Sequence, residues 1–72
     1  MNITSAQLDN AISNVLGIEV AAAMQAGCVS RPTRHAAAIQ KAFTYGCSDD
    51  DARVLREAQI MLDTTGAYEF SN

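Results

Sequence analysis

Residues that could carry catalysis or bind a metal are few in this sequence. It has one histidine, His35, and two cysteines, Cys28 and Cys47. A thiol and an imidazole can form a nucleophile–base pair, but nothing in the spacing of these three residues favours one. They also fall short of a zinc quartet or a paired-histidine metal site, and the sequence has no nucleophile-elbow serine or glycine-rich phosphate loop. We predict that the protein is not an enzyme and that it uses no metal or cofactor.

The two cysteines are predicted to be free thiols. A helix of about 13 to 15 residues, which rises roughly 20 Å, is expected between Cys28 and Cys47. A disulfide needs Cα atoms within about 7 Å of each other. We therefore interpret both cysteines as small hydrophobic residues at helix ends, with an intermolecular disulfide or a reactive thiol as the alternatives.

Two polar side chains, Glu19 and His35, are predicted to be buried. Glu19 falls in the apolar stripe of the first predicted helix, where a carboxylate is costly unless it is paired. An ion pair within the chain, a carboxylate held for a partner or a second copy, and a catalytic role are the three interpretations. His35 lies at the edge of the core face of the second helix, where we expect it to be packed and hydrogen-bonded.

Two arginines, Arg31 and Arg34, crowd the start of the second predicted helix, where the helix dipole disfavours positive charge. This arrangement is typical of a site for an anion, such as a phosphate or the carboxylates of a partner. The alternative is pairing within the chain, with Glu19 or with the acidic run 49–51.

A second contact patch is predicted on the third helix. Ile60 points away from the core between Arg53 and Arg56, and arginine is enriched at protein interfaces. Taken together, the predicted partner-binding residues are Arg31, Arg34, Lys41, Tyr45, Arg53, Arg56 and Ile60.

Three helices are expected to position these residues, at roughly 5–26, 32–45 and 49–65. Thr4 and Gln7 form a capping box before the first helix, and a glycine follows each predicted helix. We predict an all-α, three-helix single domain covering residues 1–72, with a short C-terminal tail.

The predicted second helix has an inward and an outward face. The residues expected to face inward are Pro32, His35, Ala36, Ile39, Ala42 and Phe43. Those expected to face outward are Arg34, Ala38, Lys41 and Tyr45.

In the tail, Tyr68 and Phe70 either fold back over the core or dock on a partner.

The predicted core is thin. Apolar residues make up 49% of the 72 residues, but 13 of them are alanine, and a chain of this length buries only about 60% of its unfolded surface. Either the helices pack closely or a second copy or partner completes the core. Because the stretch 15–24 is apolar nearly all round, we predict a homodimer with a self-association seam at Ile18, Ala21 and Met24.

Composition excludes other classes of protein. The charged fraction of 18% is too low for a disordered chain, and no apolar run reaches the length of a membrane span. The N-terminal residues lack the basic and apolar regions of a signal peptide. We therefore expect a cytoplasmic protein with no membrane partner.

The function these features favour is a non-enzymatic interaction module that docks on another protein as an inhibitor or adaptor. Its size class includes inhibitors of host systems encoded by phages or mobile elements. The alternative is a small helix-turn-helix-like DNA-binding regulator that uses the basic second helix. Residues 31–45 carry three cations and no acid, but the net charge of −3 disfavours nucleic acid as a partner.

Overall fold

The structure, a computed structural model, describes residues 2–71. It contains four helices, α1 (Ser5–Leu16), α2 (Ile18–Ala26), α3 (Arg31–Tyr45) and α4 (Asp49–Thr65), and this part of the chain has no strand. The all-α prediction is confirmed. The predicted number of helices, three, is wrong because the first predicted helix is divided in two.

Gly17 divides that helix. Its backbone has φ 95° and ψ 143°, a conformation open to glycine because it has no Cβ. The Gly17 N–H donates to the Ser13 carbonyl at 2.8 Å, and the Gly17 carbonyl accepts from Ala21 N–H at 3.0 Å. Helical hydrogen bonding therefore continues on both sides while the chain changes direction at one residue.

Side-chain caps define where the helices begin. Thr4 Oγ1 accepts from the Gln7 N–H at 3.1 Å, and Gln7 Oε1 accepts from the Thr4 N–H at 2.7 Å, so the predicted capping box is confirmed. Ser30 and Ser48 cap α3 and α4 by accepting from the backbone N–H three residues on. These caps satisfy N–H groups that have no partner inside the helix.

The core lies around α1, which packs against each of the other three helices. The buried cluster consists of Ile3, Leu8, Ala11, Ile12, Leu16, Ala38, Val54, Leu55 and Ala58. Its three alanines allow the helices to approach closely. The radius of gyration is 11.3 Å, close to the roughly 11 Å of a compact chain of this length.

The C-terminal tail folds back over the core. Tyr68 and Phe70 pack against the buried cluster, with ring centroids 5.2 Å apart and an interplanar angle of 16°. Ser71 N–H donates to the Ile3 carbonyl at 3.0 Å, and its hydroxyl donates to the Asn2 carbonyl at 3.1 Å. Of the two alternatives for the tail, the structure therefore has the first.

The side of helix α3 that faces the core overlaps the predicted side only in part. Arg34 and Ala38, predicted to point outward, are buried, whereas Phe43, predicted to point inward, is 93% exposed. Pro32 and Ala36, also predicted to point inward, are exposed as well. His35, Ile39 and Ala42 do face the core as predicted, so the inward side of the helix is shifted towards the fully buried Ala38 and not replaced.

None of the helices within residues 2–71 combines the length and the apolar character needed to cross a bilayer.

Candidate functional site

Arg31, at the start of α3, is paired within the chain. Its Nε and Nη2 atoms donate to the two carboxylate oxygens of Asp9, each at 3.1 Å. Its guanidinium carbon lies 5.3 Å from the centroid of the Phe70 ring. The acid that neutralises Arg31 is therefore Asp9 on α1, which the sequence reasoning missed because no local pattern joins residues 22 positions apart.

His35 is fully buried and hydrogen-bonded at both ring nitrogens. Nε2 lies 2.9 Å from the Leu55 carbonyl oxygen, and Nδ1 lies 3.0 Å from the Tyr68 hydroxyl. A carbonyl only accepts, so Nε2 carries the proton and the neutral ring accepts from Tyr68 at Nδ1. Burial lowers the pKa of His35, and the bond to Leu55 partly opposes this shift. The prediction of a packed, hydrogen-bonded histidine is confirmed.

Arg34 is buried, with 8% of its surface exposed. Its Nε has no hydrogen-bond partner in the described part of the chain. The side chain borders a small cavity of about 30 Å³ together with Asp9, Ser13 and Gln25. The prediction that Arg34 faces outward is wrong, because the side chain is covered by the rest of the protein; its role in contacting a partner stays a prediction.

Two further cations make contacts within the chain, and one does not. Lys41 Nζ donates to the Leu16 carbonyl at the end of α1 at 3.4 Å. Arg53 pairs with Glu57 one turn further along α4, at 3.4 Å. Arg56 is exposed, and nothing in residues 2–71 forms an ion pair or a side-chain hydrogen bond with it. Among the predicted partner-binding cations, Arg56 is therefore the most available.

Glu19 is exposed rather than buried, so the prediction that it lies in an apolar stripe is wrong. The physical reason is the break at Gly17. The apolar stripe of α1 ends there, and the side chains of α2 point in different directions from those that a continuous helix would give. Glu19 now lies in the first turn of α2, where the helix dipole favours a negative charge.

Helix α2 presents an apolar surface to solvent. Of its nine residues, Ala21 alone is buried. Ile18 is 77% exposed and Val20 is 48% exposed. We call the exposed apolar residues of this helix the α2 surface: Ile18, Val20, Ala22, Ala23 and Ala26.

The predicted self-association seam is not on this surface as a set. Ala21 is 7% exposed, and Met24 is half-buried against the core. Ile18 alone of the three points into solvent. The three predicted residues therefore do not form one exposed surface, because the break at Gly17 directs Ala21 and Met24 towards the interior of the same chain.

A second apolar surface lies between α3 and α4 and encloses about 440 Å³. We call it the α3–α4 groove, and its lining residues are Ile39, Ala42, Phe43, Cys47, Ala52, Leu55, Arg56 and Gln59. The 93% exposed Phe43 is its most unusual feature, since a large aromatic side chain is normally covered. Sequence reasoning missed the groove because it placed Phe43 in the core.

The other predicted partner-binding residues lie on separate surfaces. Tyr45 is 80% exposed and borders a shallow depression with Lys41. Ile60 is 55% exposed and borders a different depression with Glu57 and Glu69. The structure therefore does not bring the seven predicted residues together into one site.

Both cysteines are free thiols, as predicted, and both are exposed. Across residues 2–71, no group of three or more histidine, cysteine, aspartate or glutamate side chains is arranged to hold a metal ion.

Comparisons of the chain with protein-family profiles, with curated proteins and with solved structures find no match.

Proposed function

We propose that this chain is a small, non-enzymatic protein-interaction module that docks on another protein, as an inhibitor or an adaptor. The observation that carries the proposal is helix α2, in which seven of nine residues are apolar and only Ala21 is buried. Contiguous apolar surface on a small protein marks an interaction site more often than chance exposure does.

The α2 surface has the chemistry of a helix that docks in a groove of its partner. Ile18 and Val20 supply the two large apolar side chains, and docking would bury what remains exposed of each, a part of the about 1.5 to 3 kcal/mol that full burial of such a side chain contributes. The alanines at 22, 23 and 26 allow the partner's backbone to approach closely. Glu19, in the first turn of the helix, lies between Ile18 and Val20 and places one charge at the N-terminal end of this surface.

The alternative function, DNA reading by α3, has less support. Phosphate binding depends on lysines and arginines that are accessible to the duplex. On α3, Arg31 is paired with Asp9, Arg34 is buried and Lys41 contacts the end of α1. The helix also packs on α1 and α4, whereas α2, its neighbour in a helix-turn-helix, packs mainly on α1.

The proposal is tested by affinity capture from lysate of the natural host cell, with the wild-type protein and single variants. Ile18→Asp places a charge on the α2 surface, and Thr64→Asp places the same charge on an exposed position of α4. We expect the wild type and Thr64→Asp to recover the same partner protein, and Ile18→Asp to lose it while its far-UV circular dichroism is unchanged. Equal recovery by all three proteins contradicts the proposal.

The alternative function has its own measurement, which is binding to a labelled random DNA duplex at two salt concentrations. Binding that weakens steeply with salt and is lost in Lys41→Glu favours the DNA reader. We expect no such binding.

A further inference from the structure

We propose that the α3–α4 groove is a two-fold symmetric interface for a second copy of this chain, in which Arg56 of each copy pairs with Asp49 of the other. The inference concerns a different surface from α2 and does not depend on the proposed function. It rests on the placement of charge along α4 and on the exposed Phe43 ring.

One face of α4 carries a negative charge, Asp49, at one end and a positive charge, Arg56, at the other. Asp49, Ala52 and Arg56 are spaced three and four residues apart, so they share a face of the helix. Ala52 and Arg56 line the groove, and Asp49 continues the same line at the start of the helix. The acid and the base lie about 10 Å apart along the axis. Within residues 2–71, neither Asp49 nor Arg56 has an ion-pair partner.

This arrangement is complementary to itself. In a two-fold interface both copies use the same surface, so if one residue of the first copy meets a different residue of the second, the reciprocal contact forms as well. If two α4 helices cross antiparallel at Ala52, Asp49 of each copy faces Arg56 of the other, and both ion pairs form at once. Ala52 is small enough to allow that crossing. A partner of uniform charge would match one end of the line and repel the other, which favours a second copy as the occupant.

Phe43 gives the same interface an apolar centre. The ring lines the groove beside Ala52 and Leu55 and is 93% exposed. In the two-fold arrangement, each copy contributes one ring and one groove, so both rings are removed from water. An aromatic side chain of this kind buries about 150 to 250 Å².

The experiment is a charge swap, with the dimer dissociation constant measured by sedimentation equilibrium in reducing buffer. Wild type, Arg56→Asp, Asp49→Arg and the double variant are compared, and Arg53→Asp is the control because Arg53 pairs within its own helix. We expect each single variant to raise the dissociation constant at least about tenfold. The double variant should return to within about threefold of wild type, since both pairs are merely reversed, and the control should stay dimeric.

Either of two results from the charge swap overturns the inference. One is a wild-type protein that is monomeric at every concentration, which would leave the groove to an unrelated protein. The other is a double variant that dimerises no better than the single variants. Because Asp49 lies in the first turn of α4, where the dipole favours an acid, each variant is checked by circular dichroism. Phe43→Ser, outside that turn, must also weaken the dimer if the groove is the interface.

Discussion

The contact between Tyr68 and His35 offers the most direct test of how the tail is held. The Tyr68 hydroxyl donates to His35 Nδ1 at 3.0 Å, and the imidazole is fully buried. Tyr68→Phe removes that hydroxyl and keeps the ring that stacks on Phe70. The variant therefore isolates one hydrogen bond while leaving the apolar packing of the tail in place.

The expected loss of stability follows from what the change leaves behind. Removing one partner of a buried hydrogen bond costs about 1 to 3 kcal/mol because the other polar atom is left unsatisfied. Tyr68 is half-buried, so water replaces part of the interaction, and we expect about 1 to 2 kcal/mol. A 72-residue domain has a total stability of about 4 to 11 kcal/mol, so the loss is a substantial fraction.

The assay is thermal unfolding at neutral pH, followed by circular dichroism. For a domain of this size, each kcal/mol shifts the midpoint by about 4 to 8 °C, so we expect Tyr68→Phe to unfold about 5 to 15 °C below wild type. Tyr45→Phe is the matched control, because the Tyr45 side chain is 80% exposed. A Tyr68→Phe midpoint equal to that of wild type, or to a lowered Tyr45→Phe midpoint, would show that the hydrogen bond to His35 does not stabilise the tail.

Three further predictions concern pH, the break at Gly17 and the buried Ala21. Burial lowers the pKa of His35 below 6.5, so the unfolded chain takes up this proton first, and stability should fall as the pH falls from about 7 towards the folded pKa. Gly17→Ala should cost about 1 to 3 kcal/mol because φ is +95°, whereas Gly27→Ala should cost less. Ala21→Arg should unfold the chain at lower temperature, because Ala21 is 7% exposed.

Thermal unfolding checks all three of these predictions. A midpoint that rises on acidification from about pH 7 to about pH 5.5 contradicts the pH prediction, and the dependence over this range should weaken in His35→Gln. Equal midpoints for Gly17→Ala and Gly27→Ala contradict the second. A folded Ala21→Arg protein with the wild-type midpoint contradicts the third, and would return Ala21 to the predicted self-association seam.

Helix ends and the all-α class could be predicted from the sequence because their causes are local. Helix ends are set by capping residues that contact the backbone only a few residues away, namely Thr4 with Gln7, Ser48 and the glycines after the helices. The observed bounds of α3 and α4 lie within one residue of those predicted. The helix end at Gly17 was the one that the sequence did not predict. A glycine inside an apolar stretch costs a helix only about 1 kcal/mol, so the pattern alone does not distinguish a tolerated glycine from a break.

The side of α3 that packs on the core could not be predicted, because Ala36, Ala37 and Ala38 make three successive sides of the helix equally apolar. Hydrophobic periodicity is ambiguous over such a run, and packing against α1 and α4 decides the rotation. The observed orientation buries Arg34 and exposes Phe43, whereas His35 and Tyr45 lie on the predicted sides. The pairing of Arg31 with Asp9 depends on the same tertiary packing.

The proposed docking of the exposed apolar helix α2 on another protein can be tested directly in cells. The most direct measurement is photo-cross-linking in living host cells, with a benzophenone amino acid placed at Ile18 in one protein and at Thr64 in another. We predict a discrete cross-linked protein from position 18, because Ile18 is 77% exposed on the α2 surface, and none from position 64. Adducts that are the same from both positions, or cross-links to nucleic acid from position 18, would contradict the claim.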